Sequence, residues 1–122
     1  MRAAATLLVL AGPAAAQVGA DGHHYATTCN VSGYVLRSLY PLTRFVQTPE
    51  GPATLEGRET IYLGRSCDAA REDFGAGTWC WANGGFAASF PEGEFGFPRQ
   101  SPGCPEGAAE PVDLLALDCA CP

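Results

Sequence analysis

Lysine is absent from this chain, and its seven basic residues are all arginines. With 13 acidic residues, the formal net charge of the 122-residue chain is −6 at pH 7. This charge argues against nucleic acid and anionic membrane surfaces as partners, because both would repel it. We expect any protein partner to be basic, and general solubility is the alternative reason for the acidic composition.

Long apolar runs are also scarce, and none has the length of a transmembrane helix. The first sixteen residues have the form of a secretory signal. They contain Arg2, a short apolar run at residues 3–11, a Gly-Pro pair and an A-x-A cleavage site at residues 14–16. We predict a signal peptide at residues 1–16 and export to the periplasm or the extracellular space. Cleavage before Gln17 leaves 106 of the 122 residues, which is enough for a single domain.

The chain has too little histidine for the usual catalytic sets. His23 and His24 are its only histidines, and they are adjacent near the amino terminus, so a serine or cysteine nucleophile has no well-placed base. Glu92 and Glu94 form a carboxylate pair, but we expect their tight turn to keep both in water, unlike the carboxylates of a glycosidase. We therefore expect a protein that is not an enzyme.

The usual metal-binding patterns are missing as well. There is no C-x-x-C motif, and Cys119 and Cys121 are separated by one residue, which is too close for structural zinc. Asp68, Glu72 and Asp73 lack the alternating oxygen ligands of a calcium loop. We expect no metal ion and no cofactor.

Two short motifs near the amino terminus match known chemical patterns. If cleavage followed Ala20, the new terminus Asp21-Gly22-His23 would chelate copper or nickel through its amine, two amides and the imidazole. The A-x-A site before Gln17 fits a signal sequence better, so copper binding is the alternative. Asn30-Val31-Ser32 fits the acceptor pattern for N-glycosylation, and we interpret this match as accidental.

The six cysteines predict three disulfides, since an even number in a short exported chain is typical of a stapled small domain. They are Cys29, Cys67, Cys80, Cys104, Cys119 and Cys121. We favour a Cys67–Cys80 bond, because the twelve residues between them would join two adjacent strands. Cys119 and Cys121 would then pair with Cys29 and Cys104, in an order that the sequence leaves open.

The clearest structural signal is a β-hairpin from Thr78 to Phe90, which holds both tryptophans. Asn83 and Gly84 tolerate the positive φ angles of a two-residue turn. A turn centred on Gly84 and Gly85 is the alternative, which shifts the pairing but leaves the two faces unchanged. Alternation on either side of this turn predicts one aromatic face and one small face. The aromatic face holds Trp79, Trp81, Phe86, Ala88 and Phe90, and the small face holds Cys80, Ala82, Ala87 and Ser89. We expect the aromatic face to be part of the core.

Elsewhere the chain consists of short apolar or alternating runs between glycines and prolines. Strands are predicted at residues 25–31, 34–40, 42–47, 60–63, 95–97 and 112–119, with one bent strand over 34–47 as the alternative. Residues 48–59 are predicted to be a turn-rich connection, and residues 66–75 one helical turn. The expected fold is all-β, a small antiparallel barrel or sandwich of seven or eight short strands stapled by disulfides. It occupies residues 25–122, after a flexible amino terminus at residues 17–24.

A Cys67–Cys80 bond would close a loop at residues 68–77 and lower the ordering cost of binding. This loop carries the binding residues that we predict, which are Asp68, Arg71, Glu72, Asp73 and Phe74. The alternative is a connection that is stapled for stability alone.

Several motifs follow one another in a recognisable order. They are Y-x-x-x-C at residues 25–29, short strands, W-A-N-G-G-F-A-x-x-F at residues 81–90, and Cys104. This order resembles the periplasmic lysozyme inhibitors of the C-type class, a resemblance that implies a small β-barrel and a loop that inserts into the lysozyme cleft. Asn83 stands where that family has lysine, and residues 66–77 lack its Ser-Gly-x-Tyr pattern, so the resemblance concerns the fold more than the inhibitory motif.

Together these signals predict an exported, non-enzymatic binding module that acts through the loop at residues 68–77. We expect the partner to be a basic secreted enzyme such as lysozyme, which the module would inhibit. The alternatives are a structural, envelope-associated module without a specific ligand, and copper binding by the amino terminus.

Overall fold

A computed structural model describes residues 15–82, 84–104 and 118–121. These residues form no helix, which confirms the all-β prediction, and ten β-strands where seven or eight were expected. Within them there is accordingly no helix with the length and hydropathy needed to cross a membrane. Apart from its last two residues, the predicted signal peptide lies outside the described ranges.

Eight strands form one antiparallel sheet in the order β1-β2-β3-β6-β7-β8-β9-β10, and the other two form a separate two-stranded sheet. The strands are β1 (Ala15–Val18), β2 (His24–Asn30), β3 (Gly33–Ser38), β4 (Leu42–Thr48), β5 (Gly51–Gly57), β6 (Thr60–Gly64), β7 (Asp68–Arg71), β8 (Gly75–Ala82), β9 (Gly85–Phe90) and β10 (Gly93–Phe97). The large sheet is therefore a meander, and the β4–β5 hairpin is inserted between its third and fourth strands.

The two ends of the large sheet curl toward each other. The amide of Ala20, which follows β1, donates a 2.8 Å hydrogen bond to the carbonyl of Gly96 in β10. Beyond β10, Nε2 of Gln100 donates a 2.6 Å hydrogen bond to the carbonyl of Val18. Oε1 of Gln100 accepts a 2.8 Å hydrogen bond from the backbone amide of Val18. The sheet is therefore a nearly closed barrel, which is one of the two architectures that the sequence left open.

The tryptophan hairpin is confirmed as β8 and β9. Trp79 pairs with Ala88 and Trp81 with Phe86, so the aromatic residues share one face as predicted. Ala82 pairs with Gly85, which leaves a two-residue connection in which Gly84 has a φ angle of 71°. Asn83, the other predicted turn residue, lies outside the described residues.

Aromatic side chains from both ends of the meander meet in the core. Trp79, Phe86 and Phe97 are 1%, 2% and 1% exposed, and the rings of Phe86 and Phe97 stack at 4.7 Å. The ring of Tyr25 meets Phe97 edge-on at 5.3 Å. Full burial of each such ring stabilises the fold by roughly 2 to 3 kcal/mol. The aromatic face of the hairpin is thus core.

Two segments differ from the sequence prediction because strand pairing overrides local preference. Residues 51–57, predicted as a turn-rich connection, form β5, in which half-buried Ala53 and Leu55 alternate with exposed neighbours. Residues 68–71, predicted within a helical turn, form β7. This strand pairs on one side with β6 and on the other with β8, so both sides of its backbone find hydrogen-bond partners.

Residues 15–18 add an edge strand that the sequence did not predict. Gln17 pairs with Tyr25 in β2, and its side chain is 3% exposed. Its side-chain amide donates a 3.2 Å hydrogen bond to the carbonyl of Ser101. At the other end of the chain, only two residues of the closing strand predicted at 112–119 fall within the described residues.

The three disulfides are Cys29–Cys104, Cys67–Cys119 and Cys80–Cys121. The predicted Cys67–Cys80 bond is therefore wrong, and so is the expectation that Cys119 and Cys121 pair with Cys29 and Cys104. The register of β7 and β8 sets Thr78 opposite Asp68, and therefore brings Trp79, not Cys80, opposite Cys67.

The carboxyl-terminal segment explains the observed pairing. The amide of Trp81 donates to the carbonyl of Cys119 at 2.7 Å, and the amide of Cys121 donates to the carbonyl of Trp81 at 3.3 Å. The segment thus runs alongside β8, and its two cysteines, on alternate residues, reach Cys67 and Cys80 with Cα–Cα distances of 5.5 and 4.9 Å.

Tryptic digestion of the denatured, unreduced protein tests whether Cys67 and Cys80 bond to each other or to the carboxyl-terminal peptide. Cleavage after arginine separates Cys29, Cys67 and Cys80 into three peptides and leaves the other three cysteines in a fourth. The observed disulfides join all four peptides into one species, which mass spectrometry would detect. A two-peptide species that joins residues 66–71 to residues 72–99 would contradict this structure and restore the Cys67–Cys80 bond.

Candidate binding site

The predicted binding loop at residues 68–77 is a strand, a turn and the start of another strand. Asp68 is exposed and begins β7, whereas Arg71, at the end of the same strand, is 2% exposed. Glu72, Asp73 and Phe74 form the turn between β7 and β8. The loop is not clipped by a disulfide, so its order has another source.

The guanidinium of Arg71 supplies that order. Its Nε and Nη2 atoms donate to the two carboxylate oxygens of Asp73 at 2.8 and 2.6 Å. The same guanidinium lies 4.1 Å from the ring centre of Phe74 and 4.6 Å from that of Phe95. A bidentate ion pair and two cation–π contacts, all made by this buried guanidinium, therefore stabilise the turn at residues 72–74.

Glu59 is the acidic centre behind this turn, and its side chain is 3% exposed. The hydroxyl of Tyr25 donates to its carboxylate at 2.6 Å. The Nε atom of Arg44 donates to the other carboxylate oxygen at 2.5 Å, and Nη1 of Arg71 lies 3.5 Å from that same oxygen. One buried carboxylate is thus shared between two guanidinium groups and a phenol.

The backbone of Glu59, like its side chain, is held by hydrogen bonds. Its amide donates to the hydroxyl of Ser38 at 2.9 Å, and the amide of Ser38 donates back to the carbonyl of Glu59 at 2.9 Å. Ser38 ends β3 and is 1% exposed. This reciprocal pair fixes the carboxylate at the point where the chain leaves the β4–β5 hairpin and enters β6.

Arg44 ties the β4–β5 hairpin to the barrel. Its Nη1 atom donates to Asp21 at 2.5 Å, and its guanidinium lies 5.0 Å from the ring centre of Phe95. We call the six residues joined in this way the arginine–glutamate cluster. Its members are Asp21, Tyr25, Arg44, Glu59, Arg71 and Asp73.

The pKa of Glu59 lies below the ordinary value of a glutamate. Burial alone would raise this pKa, but the hydrogen bonds from Arg44 and Tyr25 and the charge of Arg71 together lower it by more. Burial and the neighbouring Glu59 carboxylate raise the pKa of Tyr25. The phenol therefore stays a hydrogen-bond donor to an ionised Glu59 at neutral pH.

The two outer carboxylates of the cluster are also shifted downward. The hydrogen bonds from Arg71 lower the pKa of Asp73. Burial would raise the pKa of Asp21, but the backbone amide of His23 and the guanidinium of Arg44 together lower it. All three carboxylates of the cluster are therefore ionised at neutral pH.

A shallow depression connects the turn at residues 72–74 to the base of the β4–β5 hairpin. Its lining includes Leu55, Glu56, Arg58, Arg71 and Asp73. Glu56 and Arg58 are exposed, and neither forms a salt bridge among the described residues. The predicted binding residues at the turn thus lie beside a second charged segment, at residues 55–58, which the sequence predicts as part of a connection.

Arg71 and Asp73 are predicted site residues, whereas the other members of the cluster are not. Tyr25 and Arg44 lie in predicted strands, and Glu59 lies at the end of a segment rich in glycine and proline. Glutamate in such a segment is mostly exposed, so nothing local marks it as buried. The available signal was an unusual charge, Arg44, in the middle of the run L-T-R-F-V-Q.

Other chemistry suggested by the sequence gains no support from the side-chain arrangement. No group of three or more potential metal ligands comes together within the described residues. All six cysteines are in disulfides. Asp21, the first residue of the alternative copper motif, directly follows the segment that pairs with β2 and β10. The cleavage that exposes its amine would therefore remove all of β1, whereas cleavage before Gln17 removes two of its four residues.

Comparison with known proteins does not extend these observations: no family model matches the chain, and no curated protein or solved structure shows a significant match.

The cluster predicts a loss of stability in acid. Because the pKa of Glu59 is lower in the folded protein than its ordinary value of 4.5, ionisation of Glu59 stabilises the fold above that value. This contribution is lost as the pH falls through the folded pKa. Urea denaturation between pH 7 and pH 2 should therefore show a falling free energy of unfolding below about pH 4.5.

Replacing Glu59 by glutamine isolates its part of this effect. We expect Glu59→Gln to lower the free energy of unfolding at pH 7 by about 3 kcal/mol, because two guanidinium groups lose their shared anion. The fall in the free energy of unfolding at acid pH should also be smaller for this variant. Glu56→Gln, an exposed neighbour in β5, is the control and should change stability by less than about 0.5 kcal/mol. Equal effects of the two substitutions would show that the cluster does not stabilise the fold.

Proposed function

We propose that this protein is an exported, non-enzymatic module that binds a basic protein. The binding surface consists of the turn at residues 72–74 and the adjoining base of the β4–β5 hairpin at residues 55–58. The three disulfides, which are typical of exported proteins, support the proposed location.

The observation that carries this proposal is the internal support of the turn by Arg71. Its bidentate contact with Asp73 and its stacking on Phe74 hold the turn in one conformation before any partner arrives. A preorganised surface loses less conformational entropy on binding than a mobile loop of the same composition. The buried Arg71 thus supplies the preorganisation that the sequence predicts from a Cys67–Cys80 bond.

The charge of this surface favours a basic partner. Glu72 is exposed at the tip of the turn, and Glu56 is exposed across the shallow depression. Arg58, which also lines the depression, adds one positive charge. The chain as a whole carries a net charge of −6, so electrostatic attraction would raise the rate of encounter with a basic protein.

A secreted lysozyme is the first partner to test. The resemblance of the residue order at 25–104 to the periplasmic inhibitors of C-type lysozyme supports this choice, as does the basic partner that the charge favours. We infer inhibition by occlusion of the enzyme cleft rather than by chemistry, with the turn at residues 72–74 as the inserted element.

An inhibition assay tests the lysozyme version. Purified protein at micromolar excess should lower the rate at which a basic lysozyme clears bacterial cell walls, and raising the salt concentration should weaken the effect. Unchanged rates across a panel of lysozymes would reject lysozyme as the partner. Capture of other basic proteins from an exported fraction would then test the broader proposal.

Charge reversal at the turn tests the surface itself. We expect Glu72→Lys to weaken binding to the basic partner about tenfold, which corresponds to about 1.4 kcal/mol, because one attractive charge becomes repulsive. Glu92→Lys, at the exposed turn between β9 and β10, is the matched control with the same change in net charge. Equal losses for the two variants would mean that only the total charge matters.

A structural, envelope-associated role is the competing function. It predicts that neither Glu72→Lys nor Glu56→Lys changes the set of proteins retained by the immobilised module. Loss of one retained protein with either variant would contradict it.

A further inference from the structure

The β4–β5 hairpin has two open edges. It forms a sheet of its own, and no backbone hydrogen bond joins β4 or β5 to another strand among the described residues. Unpaired edges are templates for strand addition, and proteins commonly protect them with proline, charge or a covering segment.

The two edges are protected to different degrees. Strand β5 contains Pro52, which has no amide hydrogen to donate, and exposed Glu56. Strand β4 contains no proline, and its only charge is Arg44. That guanidinium is directed to Asp21 and Glu59, so it does not guard the edge. The edge of β4 is therefore the less protected one.

The exposed face of β4 is uncharged and centred on an aromatic residue. Phe45 is 83% exposed, the highest exposure among the large apolar side chains of the described residues. It is the middle residue of the seven-residue strand, with exposed Thr43 and Gln47 on either side of it on the same face.

We propose that β4 pairs antiparallel with β4 of a second copy of this chain, about a two-fold axis at Phe45. In this register Phe45 lies opposite the partner's Phe45, and Thr43 lies opposite the partner's Gln47. Arg44 lies opposite the partner's Val46, so no like charges oppose each other along the pair. The two hairpins become one four-stranded sheet, in which adjacent aromatic side chains stabilise the central pair.

The position of Phe45 favours a second copy over a foreign strand. A two-fold axis brings a residue opposite itself only at the centre of the paired segment, and the one large apolar residue exposed on β4 occupies that centre. A foreign strand would gain nothing from this symmetry.

The overall charge gives the dimer a distinctive dependence on salt. Two copies with a net charge of −6 repel each other, and salt screens that repulsion. We therefore expect salt to strengthen the dimer, whereas salt weakens binding to a basic partner. The dimer and the binding of a basic partner can accordingly be contradicted independently of each other.

Sedimentation velocity over a concentration series tests the dimer. The apparent mass should rise from one chain toward two with increasing concentration, and further at higher salt. Phe45→Asp should keep the chain monomeric, whereas Val31→Asp, a control at another exposed apolar residue, should dimerise like the parent. Far-ultraviolet circular dichroism establishes that each variant is folded. A parent chain that is monomeric at every concentration overturns the proposal.

Cysteine crosslinking tests the register. Phe45→Cys should form an intermolecular disulfide, because the two-fold axis brings position 45 of both copies together. Thr43→Cys is the matched control, since its symmetry mate lies four residues away along the strand, roughly 13 Å. Equal crosslinking of the two variants would contradict a two-fold axis at Phe45.

Discussion

The carboxylate of Glu59 is the interaction on which much of the remaining structure depends. It accepts hydrogen bonds from Tyr25 in β2 and Arg44 in β4, and it neutralises Arg71 at the end of β7. These partners lie 34, 15 and 12 residues away in sequence. Without the shared anion, the arginines would place positive charge in a poorly hydrated site, which is costly. One carboxylate therefore sets the position of the inserted hairpin and of the turn that follows β7.

Strand β7 is held at its two ends by different constraints, one covalent and one electrostatic. It has only four residues, two of them alanines, so it contributes little apolar burial of its own. The disulfide of Cys67 fixes the chain immediately before it, and the ion pairs of Arg71 fix its last residue. The covalent constraint acts on the unfolded chain as well, whereas the ion pairs act only in the folded protein. The ion pairs order the turn beyond Arg71, whereas the disulfide restrains the chain at the other end of β7.

The sequence correctly predicts the parts of this fold that depend on contacts between residues close together in the chain. The tryptophan hairpin needed only a two-residue turn and alternation, and both are visible within thirteen residues. The disulfides were mispaired because their connectivity depends on the register of β7 with β8 and on the path of the carboxyl-terminal segment. Glu59 was missed for a related reason: its burial depends on Arg44 and Arg71, which strand pairing brings together from separate segments. Pairing with β4 likewise makes a strand of β5 despite its proline and glycines.

The choice of arginine over lysine makes the cluster insensitive to alkali. A guanidinium cannot lose its proton at any pH that a folded protein meets, and the buried phenol of Tyr25 has a pKa raised above its ordinary value. Of the side chains that hold Glu59, none therefore changes its charge between neutral and moderately alkaline solution. The hairpin and the turn keep their relative positions throughout that range, which would suit the exported location that we propose.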